Sequence, residues 1–154
     1  MPDIRTSAKA VIIEGGRILL IKRQSGRETW FGLPGGGQDK YEALEAALIR
    51  ECLEETGYAV RVGAFMFVSE YIGKNHEFFG TDSGIHTVDL SFLCTIEKGK
   101  PPAGISIPDS DQVGIEWVEV ARLPETPLYP KYLRRGIPEY LAGARKSAYL
   151  GDIN

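Results

Sequence analysis

Little in this 154-residue chain suits an oxidising or membrane setting. It has only two cysteines, Cys52 and Cys94, and both sit inside apolar stretches, so no disulfide framework is implied. There is no apolar run of membrane-spanning length, and the start, Met1-Pro2-Asp3-Ile4-Arg5, has no apolar leader. A cytoplasmic location is the expectation. Excess basic charge is lacking too: 18 Lys and Arg against 21 Asp and Glu give a formal charge of −3. Such a chain has no broad basic surface for a polyphosphate or a long nucleic acid, so affinity for phosphate must come from local arginines and bound metal. No Pro/Ser-rich linker, repeat or low-complexity tract divides the chain, and 43% hydrophobic content suits one domain over residues 1–154.

What is present in strength is a stretch running from Gly36-Gly37-Gln38 to Glu54-Glu55-Thr56-Gly57-Tyr58. Glu51, Glu54 and Glu55 stand at i, i+3 and i+4, so on a helix their like charges share one face. That arrangement is either a solvated face or a site for a hard divalent cation. At about 100° per residue, Leu44, Leu48 and Cys52 fall on one side and Ala46, Ile49 and Leu53 nearly opposite, which predicts a helix sandwiched between two surfaces. The acids then border buried surface. Before the helix, Leu33-Pro34-Gly35-Gly36-Gly37 is a backbone that can approach a ligand closely, and Gly36 offers a carbonyl.

The pattern Gly36-x5-Glu42-x7-Arg50-Glu51-Cys52-x-Glu54-Glu55-x-Gly57-Tyr58 resembles the signature box of the Nudix hydrolases, of MutT-like type. Every fixed position of that box is present, while Cys52 and Tyr58 replace its bulky aliphatic residues. The flanks agree. Ala10–Ile13 and Arg17–Ile21 read as a hairpin turning at Glu14-Gly15-Gly16, and Val60–Val68, His86–Cys94 and Gly114–Val118 read as further strands. The resemblance spans about residues 6–135. It implies an α/β fold with a mixed β-sheet sandwiched between α-helices, an α/β/α sandwich. Prolines 124, 127, 130 and 138 predict short helical pieces to about residue 148 and a loose end near Asn154.

The resemblance further implies a metal-dependent pyrophosphohydrolase that cleaves the phosphoanhydride of a nucleoside diphosphate linked to another group. Gly36, Glu51, Glu54 and Glu55 would hold Mg²⁺, with Mn²⁺ as a substitute. Glu54 is the chosen proton acceptor, and Arg50 paired with Glu42 would orient the glutamates. A non-catalytic nucleotide-sensing module on the same fold is the alternative. Arg23 and Arg27 are either phosphate donors or solvated loop residues. Trp30 and Phe31 either stack on a base or cap the core. His86 is a substrate-side candidate, although His76 and His86 both also read as surface or strand residues. Asp109 and Asp111 are candidates for a late acid, and Tyr129 and Arg134 for reaching a second subunit's substrate. The segment Tyr71 to Ile85 is a lid or a dimer contact. Similar proteins are commonly dimeric, and no residue here decides that. ADP-ribose-specific chains often carry a proline after the box where this chain has Gly73-Lys74-Asn75, which argues against ADP-ribose. Nucleoside triphosphates, dinucleoside polyphosphates, nucleotide sugars and capped RNA stay open, the last disfavoured by the missing basic patch.

Overall fold

A computed structural model describes residues 3–100, 102–105, 109–144 and 147–154. Strands β1 (Arg5–Glu14) and β2 (Arg17–Ser25) form the expected hairpin, with Ile13 opposite Ile18 and Glu14 opposite Arg17. There follow β3 (Glu28–Gly32), β4 (Gly35–Gly37), α1 (Leu44–Thr56), β5 (Val60–Ile72), the single turn α2 (Phe79–Asp82), β6 (His86–Ile96), β7 (Gln112–Glu119), α3 (Leu133–Leu141) and β8 (Tyr149–Asp152). Short 3-10 segments occupy Gly73–Asn75 and Val120–Glu125. The sheet order is β3-β2-β1-β6-β5-β8, with β4 paired to β1 and β7 to β2. It is mixed: β1 with β6 and β5 with β8 run parallel, and the other pairs antiparallel.

The period-2 alternation of β1 divides the core into two layers. Ala8, Ala10 and Ile12 pack with Leu48 and Cys52 of α1 and with Leu19, Val60 and Cys94. Val11 belongs to the opposite layer, with Ile18, Leu20, Phe31, Leu123, Leu133 and Ile137. Helices therefore cover both faces of the sheet. Ile12 and Leu48 are fully buried, each worth roughly 1.5–3 kcal/mol of apolar transfer.

The helix α1 is covered on one side only. It packs on β4, β1 and β5, while Ile49 and Leu53 are 41% and 42% exposed, so the predicted second buried side is not found. Periodicity located the apolar stripes but carried no information on which stripe has a neighbour. The helix ends at Gly57, whose φ of 75° lets its N–H reach the Leu53 carbonyl at 2.9 Å. A Cβ on Gly57 would lie 2.6 Å from the Gly104 nitrogen. Gly57→Ala is accordingly expected to cost about 1–3 kcal/mol, read as a lower urea midpoint with an unchanged slope. In the turn before α1, Tyr41 is the only non-glycine residue at positive φ among the described residues, at 72°. That conformation costs an L-residue about 1–2 kcal/mol.

Two further expectations are corrected. The C-terminus is not loose: β8 lies parallel to β5, and Asp152 accepts hydrogen bonds from the Ile72 N–H (2.9 Å) and Asn75 Nδ2 (2.8 Å) and meets His76 Nε2 at 2.6 Å. Tyr71 and Ile72, expected in a loop, are the end of β5, and Tyr71 Oη donates to Asp82 at 2.7 Å. Helix α3 ends at Leu141; residues 145 and 146, within the segment expected to be helical, lie outside the described residues. Among the described residues no helix is long and apolar enough to cross a membrane.

Candidate active site

The three-glycine strand β4 brings the sheet and α1 together. Ser7, Ala8 and Lys9 of β1 lie opposite Gly37, Gly36 and Gly35. With no side chains in between, Glu51 and Glu55 of α1 reach past β4 into a cleft of about 290 Å³. A Cβ on Gly36 would fall 2.5 Å from the Glu51 carboxyl carbon, so glycine is what leaves room for that carboxylate. The opposite wall comes from β1 and β6. Arg5, Ser7 and Lys9 stand on one face of β1, and Thr87 and Asp89 continue that face on β6.

Arg50 gathers Glu42, Glu51 and Glu54 beside the cleft, and Glu55 has a separate anchor. Arg50 donates from Nε to Glu42 Oε1 (2.8 Å) and from Nη2 to Glu42 Oε2 (2.9 Å), a two-bond fork. The same guanidinium donates to Glu51 Oε1 at 2.7 Å and to the Gly37 carbonyl at 3.1 Å. Hydrogen bonds from Arg50 and from the Asp39 N–H hold the Glu42 carboxyl down at about 2. The Arg50 guanidinium is raised by its bonds to Glu42 and Glu51. Glu54 is held more loosely, 3.6 Å from Arg50 Nη1. Glu55, 3% exposed, accepts the Gly35 N–H at 2.8 Å. Burial pushes its carboxyl up to about 7, against the opposing pull of that N–H and of Lys9 and Arg23.

Arg23 lies in the cleft but is already engaged. Its Nη1 donates to Asp111 at 2.6 Å and its Nη2 to Asp109 at 2.9 Å, and its guanidinium lies 5.5 Å from the Trp30 ring centroid. Burial works against its charge, but the two aspartates outweigh burial and raise its pKa. Both late acids thus bind Arg23, and of the two only Asp109 lines the cleft.

Of the predicted residues, Glu42, Arg50 and Glu54 do not line the cleft themselves, and three others are not brought to it. Arg27 is exposed in the turn between β2 and β3. Phe31, 7% exposed, points into the layer with Leu123 and Leu128 because strand alternation directs it there. His86 pairs with Glu70 at 3.1 Å across the β5–β6 ladder. Tyr129 and Arg134 are used within the chain: Arg134 stacks 5.0 Å from the Tyr129 centroid and donates to the Leu128 carbonyl at 2.9 Å. The wall of Arg5, Ser7, Lys9, Thr87 and Asp89 was missed. The polar-apolar alternation of residues 7–10 was its available signal, had the first strand been extended back from Ala10.

The donor set at Gly36, Glu51, Glu54 and Glu55 is all oxygen, and the space left by Gly36 lies directly against Glu51; both suit a hard divalent cation. Among the described residues, no three acidic, histidine or cysteine side chains converge at ligand spacing, since Glu51 is drawn to Arg50 and Glu55 to Gly35.

A mixed sheet between helices, with a glutamate-bearing helix reaching past a glycine strand into a cleft, is the α/β/α arrangement that the resemblance to the Nudix hydrolases implies. The NUDIX domain model matches residues 3–139, and the chain belongs to the NUDIX family. Over 118 residues it is 32% identical to a protein of Bacillus subtilis (strain 168) named for 8-oxo-dGTP diphosphatase activity, a match covering 74% of this chain and 65% of that one. Over 116 residues it is 29% identical to the ADP-ribose pyrophosphatase of Methanocaldococcus jannaschii, covering 75% and 62% respectively. The chain therefore spans just under two thirds of the length of these relatives. A NUDIX hydrolase structure from Nitrosomonas europaea shares the fold, with a TM-score of 0.72 at 20% identity over 93% of this chain and 92% of that one.

Proposed function

We propose that this chain is a metal-dependent nucleotide pyrophosphohydrolase that cleaves the phosphoanhydride of a nucleoside diphosphate linked to another group. The observation that carries the reading is the placement of Glu51 and Glu55 against Gly35–Gly37, facing Arg5 and Lys9 across one cleft. Acids alone would repel a phosphate, and bases alone would not hold a divalent ion; the cleft has both.

In this reading Gly36, Glu51, Glu54 and Glu55 would hold Mg²⁺, or Mn²⁺ in its place. When bound, the ion polarises the phosphoryl oxygens and acidifies water. Lys9, whose Nζ lies 3.4 Å from the Gly35 carbonyl, and Arg5 supply positive charge beside the diphosphate. Arg50 positions Glu51 and ties it to Glu42 and to the Gly37 carbonyl. Glu54, loosely held, is the group assigned to take the proton from the attacking water.

The names of the two relatives both describe phosphoanhydrides attached to a nucleoside, which supports the substrate class. An ADP-ribose pyrophosphatase among them also weakens the argument from Gly73-Lys74-Asn75, so ADP-ribose belongs in any panel. A cytoplasmic setting suits the two free, buried cysteines. The test is turnover on a panel of nucleoside triphosphates, ADP-ribose, dinucleoside polyphosphates and nucleotide sugars. Cleavage is expected with Mg²⁺, none with EDTA, and recovery when Mg²⁺ is restored. Binding of a nucleotide in calorimetry with no turnover of any panel member would replace the enzyme with a sensing module.

A further inference from the structure

Tyr41 is the third residue of the turn that the Glu42 N–H closes on the Asp39 carbonyl at 3.1 Å. Its backbone is held at a φ of 72°, and its side chain is 93% exposed, with Lys40 Nζ 4.9 Å from the ring centroid. A residue kept in a left-handed conformation while its ring meets solvent contributes nothing to the core, and such outliers gather at ligand sites. Beside the ring lies a recess of about 400 Å³, bounded also by Ile4, Arg5, Gln38 and the carboxylates Asp39 and Glu42. Ile4 is likewise 59% exposed.

Arg5 joins this recess to the catalytic cleft, because it borders both. Its guanidinium lies over Gly37, where a Cβ would collide with it. Among the described residues it has no hydrogen bond or ion pair, so its planar donors are open to a phosphate. An unpaired arginine between an acidic cleft and a recess carrying an exposed ring matches the order phosphate, then base.

We propose that Arg5 and Tyr41 form the subsite for the nucleobase end of the substrate: Arg5 holds the phosphate leading out of the cleft, and the aromatic base stacks on the free face of Tyr41. The assignment rests on the nucleotide hydrolysis proposed above. Stacking is tolerant of base identity because every base presents a π-face. The recess therefore selects for an aromatic base and leaves discrimination among bases to the polar groups around it.

Steady-state kinetics on a panel nucleotide that the wild type cleaves provide the test. Tyr41→Ala is expected to raise KM about tenfold with kcat within about twofold, and Tyr41→Phe to restore KM. Arg5→Gln is expected to raise KM as well. Tyr41→Gly separates binding from folding: KM rises while Tm increases by about 2–4 °C, as the strained conformation is relieved. An unchanged KM in Tyr41→Ala overturns the subsite. So does a changed oligomeric state in sedimentation with KM unmoved, which would assign the ring to a contact between copies. If the wild type cleaves nothing, the proposed hydrolysis is what fails. The subsite is then judged by calorimetric binding of ATP and 8-oxo-dGTP to the wild type and to Tyr41→Ala, and equal affinities overturn it.

Discussion

Replacing Glu55 by glutamine is expected to abolish most hydrolysis while making the metal-free fold more stable at pH 8. Glu55 is 3% exposed, and its nearest cation, Arg23, is 3.7 Å away and shared with two aspartates. Burial raises its carboxyl to about 7 from an ordinary 4.5. Between those values the native state holds a proton that the unfolded chain has released, so stability falls as pH rises through the window. The contribution is fully present below about pH 4.5 and lost above about pH 7. A difference of that size is worth on the order of 3 kcal/mol, or roughly 6–12 °C in melting temperature. Glutamine keeps the acceptor for the Gly35 N–H and has no charge to desolvate, so the variant should lack this slope. Melts in EDTA at pH 5 and pH 8 decide the matter; a wild type no more pH-sensitive than Glu55→Gln would show that the carboxyl is not held neutral. Turnover should fall beyond the roughly 10–100-fold typical of groups that only support a metal ligand.

Arg50→Ala should also lose most turnover, with little loss of fold. One guanidinium fixes Glu42 through two bonds, Glu51 through a third and the Gly37 carbonyl through a fourth. Removing it frees Glu51 to swing and leaves β4 without its tie to α1. A misplacement of about 1 Å near reacting groups costs about 100-fold. The pair is partly solvated, with the Arg50 side chain 31% exposed, so the melting temperature should move by less than about 4 °C. Arg50→Lys should recover little, because an ammonium cannot form the fork to Glu42. A melting temperature that collapses while residual turnover stays near wild type would make Arg50 a structural residue.

The acidic helix was legible because the spacing of acids along one helix is written directly in residue number, whereas Gly35–Gly37 read as a turn and forms a strand. The hairpin at Gly15-Gly16, equally local in sequence, was legible too. The cleft's other wall was not. Ser7 and Asp89 hydrogen-bond across 82 positions of sequence, and only the parallel β1–β6 register brings them together. Phe31 and His86 stayed open between a ligand-side and a packing or strand role because their side-chain directions depend on strand registers that propensity does not reveal. Ile49 and Leu53 read as a second buried stripe because apolar character does not say whether a neighbour is present. The β8 strand escaped notice because it is four residues long and gains its form by pairing with the edge of β5.

The alternation along β1 has a consequence for how such a chain can change. Ala8, Ala10 and Ile12 support α1, whereas Arg5, Thr87 and Asp89 face the cleft from the same ladder. Mutational drift at the second set leaves the first untouched, so ligand preference can be rewritten without renegotiating the core. A scaffold divided in this way can diverge in appetite while its glutamate-bearing helix stays fixed.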